Sequence, residues 1–447
     1  MTAEIALLNK LAVTLAADSA ITINNQNGPK VYNSADKIFE GTTHDAIGVM
    51  VFNSPEISGI PVEVIVKMYR DHSCPGHFDT VFDFADAFLK HIEGIDAPPI
   101  VVEGTIRSLI WRRAEQVRDR IREASDGMVR EASSEKYASI DVFSEAVDQH
   151  ALEIIENDIA LMEALPQPDW ANRLTVADVL GAHAEAIGEF VDVLFEGHPL
   201  PVPRRERIMV LLAWSLLKEA QREVLTGLVF AGFGEKEKFP SLIAFEVYGL
   251  VAGRLKYIRT NRFDVDRKLH PDAAVFPFAQ KEMVDRFMYG LDGEFLDLCN
   301  TFFSGSLDSL KGQLGGLLNG VDPVAQAAVN PAINEILAEF KSRVVPEHLD
   351  RLRSEFSDMV RSMPKQELAA LAESLVHITS LKRKFSAGAE SVGGPIDVAM
   401  ITRAEGFVWV KRKHYFNASL NPRYFHRRYG GNNSAQQIAD PTADAAN

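Results

Sequence analysis

The stretch TAEIALLNKLAVTLAADSA (Thr2–Ala20), with DKIF at Asp36–Phe39 behind it, decides how this chain is read. Ile5, Leu7, Val13 and Leu15 alternate along two short runs, as in a β-hairpin, and Asn9-Lys10 supplies the turn. Thr2 stands directly behind Met1. Removing Met1 leaves a threonine with both a hydroxyl and a free α-amine. The hydroxyl can then act as nucleophile, with its own amine as base. Asp18 and Lys37 are the charged pair such a site needs nearby. An unperturbed α-amine titrates near ~7.7–8.0. The Lys37 ammonium would lower that value, because like charges disfavour joint protonation. The amine can then accept the threonine proton near neutral pH, directly or through a water.

Outward from this stretch, 31–39 and 47–52 read as further strands, and 61–70 and 80–92 as helices with apolar residues at helical spacing. Residues 103–222 are helical in pattern and charged, broken at Pro166–Pro168. Sheet character returns at 226–235, 240–249 and 253–257. Gly232 and Gly234 fall between two strand patterns with no Gly-Lys-Ser/Thr behind them, so they read as a hairpin turn and not a phosphate loop. Residues 260–362 again look mostly helical, most clearly at 307–318 and 332–343. A helix at 364–376 and a hairpin at 392–401 and 406–411 close the ordered part. Residues 430–447 are polar and read as a disordered tail.

The N-terminal motifs resemble those of proteasome β-subunits and the related bacterial HslV peptidase, which are N-terminal-nucleophile (Ntn) hydrolases. The nucleophile-to-Asp interval is 18 − 2 = 16 residues, as in that family, and Lys37-Ile38-Phe39 matches the strand that begins with the family lysine. The Asp-to-Lys interval, 37 − 18 = 19, is a little longer than usual, and the turn-forming run Asn24–Pro29 takes up the difference. The resemblance implies an α+β fold, a four-layer αββα sandwich of antiparallel sheets carrying helical insertions. The core then comprises 2–102, the central hairpin 223–259, and the last helix and closing hairpin 363–429; 103–222 and 260–362 are the insertions. It also implies catalysis by Thr2, Asp18 and Lys37, with backbone N–H groups of Asn53 and Ser54 as the oxyanion hole. The family has Gly where this chain has Asn53. Val51 would line the pocket for the residue before the cut. The family supports its terminal amine with a Ser and an Asp-x-x-Ser; Gln280 and Ser391 stand nearest those positions. The reaction implied is hydrolysis of an amide bond, peptide or other, without a cofactor. Three readings follow: a threonine peptidase, an amidase for a small molecule, or a non-catalytic proteasome-like subunit. A homo-oligomer is expected, with helical insertions at subunit contacts through Ile106, Leu109, Ile110 and Val117, and there is room for a regulatory or unfoldase partner.

Composition narrows the classes. The 447 residues carry 47 Lys+Arg against 62 Asp+Glu, a net charge of −15, which argues against non-specific nucleic-acid binding. The basic aromatic stretches at 411–416 and 423–428 read as packing against an acidic neighbouring surface. Cys74 and Cys299 offer neither a disulfide framework nor zinc spacing, and no His-x-x-x-His pair suggests a metal. No signal-peptide pattern is seen. The longest apolar run, Ile208–Leu217, is about half of what a bilayer needs. A cytoplasmic protein without membrane contact is expected.

Overall fold

The N-terminal hairpin seeds the first sheet. In the computed structural model, β1 (Ala3–Asn9) and β2 (Val13–Ala17) pair antiparallel, with Glu4 opposite Ala17. Asn9 closes the turn, its Oδ1 accepting from the N–H groups of Leu11 and Ala12. The structure describes residues 2–25, 28–74, 76–132, 137, 139–197, 200–218, 225–265, 272–318, 331, 334–335, 338–386 and 392–423. A separate ribbon of β3 (Ile21–Asn25) and β4 (Gly28–Tyr32) follows, so the lengthened Asp-to-Lys interval lies in a hairpin. Next come β5 (Ile38–Glu40) and β6 (Ala46–Asn53), paired antiparallel. The single strand expected over 31–39 is therefore two pieces. The short polar residues Asn33, Ser34 and Asp36 favour an irregular backbone, and Ala35 N–H is taken by the Ser19 carbonyl.

A small ribbon, β7 (Glu56–Ile57) with β8 (Ile60–Pro61), leads into α1 (Val62–Met68) and α2 (Val81–Glu93). Thr80 begins α2 with a capping box: its Oγ1 accepts from Asp83 N–H and its own N–H donates to the Asp83 carboxylate. Four helices follow: α3 (Pro99–Glu131), α4 (Ile140–Ala164), α5 (Val176–Leu194) and α6 (Val202–Lys218). Then β9 (Thr226–Phe233), β10 (Ser241–Val251) and β11 (Arg254–Asp264) form an antiparallel meander. The glycines at 232 and 234 thus belong to a strand and its turn. The second sheet runs β11-β10-β9-β6-β5.

One strand was read as helical. β12 (Ala273–Ala279) lies within 260–362 and pairs with the whole of β1, from Ala3 opposite Ala279 to Asn9 opposite Ala273. Pro277 hides it, because Pro cannot donate to a ladder and is confined to edges. β12 is such an edge: the first sheet runs β12-β1-β2-β13-β14, completed by β13 (Asp397–Thr402) and β14 (Gly406–Lys411). Between β12 and β13 the chain forms α7 (Glu282–Tyr289), α8 (Gly293–Leu318), α9 (Val345–Arg361) and α10 (Lys365–Lys384). The helix expected over 332–343 falls partly outside the described residues, and the tail 430–447 wholly so.

The protein is thus α+β with antiparallel sheets. One apolar cluster joins Ala6, Leu8 and Leu15 of the first sheet to Met50, Val229 and Ala231 of the second. The opposite face of the first sheet packs Ile5 and Leu7 against Leu368, Leu375 and Val376 of α10. The opposite face of the second packs Val49 and Phe230 against Phe84 and Phe88 of α2. Helices α3 to α6 share a further core that includes Tyr248 and Val251 of β10. Ile106, Leu109, Ile110 and Val117 are buried there. They are interior residues of the subunit and not its contact face, because α4, α5 and α6 already cover the apolar stripe of α3. No helix among the described residues is long and apolar enough to cross a membrane.

Met1–Lys411 form one compact unit and Arg412–Asn447 a second. In the second, Tyr415 and Phe416 meet edge-on with ring centroids 5.0 Å apart. Most of the basic stretch 423–428 lies outside the described residues.

Candidate active site

Four strand ends meet at one place. β1 begins after Thr2, β2 ends before Asp18, β5 begins after Lys37, and β6 ends at Asn53. Antiparallel pairing brings the start of β1 beside the end of β2, and the start of β5 beside the end of β6. Polar contacts then join the sheets. Asn53 N–H donates to Thr2 Oγ1 at 3.2 Å, and Lys37 Nζ lies 2.5 Å from Asp18 Oδ1.

Asp18 is the fixed point. Its carboxylate accepts from the backbone N–H groups of Ala3, Ala20 and Gly393, as well as from Lys37. Four donors on a buried carboxylate hold it in one orientation and satisfy its lone pairs. Lys37 is buried too, and bridges two carboxylates: Asp18 and, at 3.1 Å, Glu4 Oε1.

Glu4 is the residue that sequence reasoning missed. It lies on β1 two residues from Thr2, hence on the same side of the strand. Its Oε2 accepts from the Thr2 hydroxyl at 3.0 Å. Its Oε1 has the Lys37 ammonium beside it but makes no hydrogen bond. Burial pushes the Glu4 carboxyl up to about 7; the Lys37 charge pulls against that, and the Asp18 charge adds to it. A carboxylate within an otherwise apolar buried strand was the available signal.

The other expected residues divide. Asn53 offers its N–H at the Thr2 oxygen. Ser54 does not, because its N–H donates to the Leu225 carbonyl; the oxyanion assignment narrows to Asn53. Gln280 reaches Thr2 through its backbone, its N–H donating to the Thr2 carbonyl at 3.3 Å. Its side-chain oxygen accepts from Arg383 of α10 at 2.5 Å, which turns it to that helix. Ser391 lies outside the described residues. Val51 lines a cavity of about 220 Å³ together with Lys37, Asn53, Phe39, Pro61 and Val62. Thr2 itself is only 1% exposed.

A hydroxyl between a carboxylate and a backbone N–H, beside a buried ammonium and a partly apolar cavity, has what attack on a carbonyl requires. No protein-family model and no curated protein matches this chain.

Proposed function

We propose that this chain is a proteasome-like threonine hydrolase that cleaves amide bonds, peptide bonds foremost, with Thr2 as N-terminal nucleophile once Met1 is removed. The observation that carries the reading is the hydrogen bond from Asn53 N–H to Thr2 Oγ1 at the junction that also holds Asp18 and Lys37. Helices on the outer faces of two packed sheets support the finer reading of the fold as a four-layer Ntn sandwich. In that sandwich, 103–222 and much of 260–362 are additions to the core.

In the proposed reaction the Thr2 oxygen attacks the carbonyl carbon. The oxyanion forms beside Asn53 N–H, the amine leaves, and water releases the acyl group from Thr2. The partly apolar wall of Phe39, Val51 and Val62 suits an apolar side chain before the cut.

One observation favours a second reading. Thr2 is buried, as in a subunit that serves structure and not catalysis. Met1 removal separates the two. The N-terminal mass of the purified protein is measured, and the protein is treated with an electrophile that captures N-terminal threonines. The catalytic reading expects loss of Met1 and labelling of Thr2, with both Thr2→Ala and Lys37→Ala unlabelled, since members of one catalytic unit fail together. Retained Met1, or equal labelling of Thr2→Ala, refutes it.

A further inference from the structure

We propose that the groove between α3 and α5 binds an extended, apolar stretch of the substrate, which makes that substrate a polypeptide and not a small amide; the inference rests on the reading of Thr2 as nucleophile. The groove measures about 940 Å³ and is lined by Leu109 and Trp111 of α3, Phe190 and Val193 of α5, and Leu225. A space of that size takes a ligand larger than one side chain. Its apolar walls are open to solvent: Trp111 is 50% and Val193 70% exposed. Trp111 is braced by Phe190, with ring centroids 5.4 Å apart, so it presents a fixed aromatic face. Apolar surface gathered in an open groove marks a place of binding. The charged residues around it are two arginines, Arg107 and Arg112, and two glutamates, Glu115 and Glu189. They cancel in number, and Arg107 is already held by Glu189 at 2.7 Å. The groove therefore selects for apolar side chains and not for charge.

Where the groove ends identifies its occupant. Leu225 immediately precedes β9, and its carbonyl accepts from Ser54 N–H at 3.0 Å. Thr226 pairs with Asn53, whose N–H meets the Thr2 oxygen. Asn53 and Pro55 line the cavity that also holds Val51. The short segment 53–55 thus joins the cavity to the end of the groove. The added helices stand at this same end of the second sheet, where Val101 of α3 packs at Gly59, in the turn between β7 and β8. A small amide fits within the cavity of about 220 Å³ and leaves the groove unused. A polypeptide with one residue in the cavity must continue past Asn53, and the groove is the apolar surface it meets there. The helices added to the core then take part in recognition, supplying both walls.

Internally quenched peptides test this in the full chain. One spans only the residues beside the cut. Two others extend it, at one end or the other, with Phe and Leu set among Ser and Gly. Extension at one end is expected to lower the wild-type KM on the order of tenfold at unchanged kcat, since only binding is added. Trp111→Ala and Val193→Ser alter exposed side chains on opposite walls. Each is expected to cancel most of the gain on the extended peptide, while kcat/KM for the short peptide stays within about twofold of wild type. No gain from extension at either end, or a gain that both variants keep, overturns the assignment. Equal losses on the short and extended peptides mark a structural effect and overturn it too. Wild-type protein that an electrophile labels at Thr2 but that cleaves none of the peptides removes the polypeptide substrate and leaves the nucleophile standing. Wild-type protein that neither labels at Thr2 nor cleaves any peptide overturns the nucleophile reading, and this inference with it.

Discussion

Asn53 holds a left-handed backbone, φ 65°, at the point where its N–H meets Thr2. Most side chains lose about 1–2 kcal/mol there, whereas Gly is free to adopt it and Asn tolerates it. Asn can therefore stand where the resembling family has Gly. Asn53→Gly is expected to keep Thr2 labelling. Asn53→Val strains the turn and moves the donor, so labelling falls on the order of 10²-fold, the usual cost of a lost oxyanion donor. A Val variant that labels as fast as wild type sinks the role given to this N–H. Thr2, Asp18, Lys37 and Asn53 were legible because each sits at a strand end with a recognisable interval to the next. Glu4 was not, because it stands on the face of β1 opposite the alternating Ile5 and Leu7, where the pattern allows a solvent-facing carboxylate. The Ser54 error has a different origin. Where a backbone N–H points depends on its pairing, here with Leu225, and side-chain identity does not carry that.

At the scale of elements, an imidazole adds a polar tie between α5 and the second sheet beside their shared apolar core. His183 Nε2 accepts from Ala252 N–H at 2.9 Å, in the turn between β10 and β11. Protonation removes that lone pair, and burial holds the His183 pKa below its ordinary value of 6.5. As pH falls through 6.5, the unfolded chain takes up the proton first, so stability is lost below that point and is intact above it. Urea midpoints at neutral and mildly acidic pH check this. His183→Gln keeps an acceptor that does not titrate, and is expected to shrink the acid loss; an identical loss in the variant removes His183 from the account. The amphipathic helix α2, with Val81, Phe84 and Phe88 at helical spacing, and the apolar runs of β9 and β10 with glycines at their ends were readable from sequence. β12 was not, because a proline in a seven-residue run argues against a strand until the run is known to lie at an edge.

For the whole molecule, the open matter is what the four helices α3 to α6 are for. Their apolar stripe was expected to face another subunit, but Ile106, Leu109, Ile110 and Val117 close a core within this one, against Ile155, Ile187 and Leu212. An aspartate at Leu109 is therefore expected to unfold the helical part, costing about 3 kcal/mol or more, as an unpaired charge in a packed core does. It is not expected to yield a folded, dissociated subunit. Assembly itself still follows from the proposed function. A threonine hydrolase of the proteasome kind works in a closed ring that shields its site, and closed symmetry is the default for identical copies. The expected result is a particle well above the 49.5 kDa chain mass by light scattering at micromolar concentration. The two measurements are independent. A monomer with an active Thr2 would leave the chemistry standing and remove the ring, whereas a Leu109→Asp chain that stays folded and only falls apart into monomers would return this face to the interface.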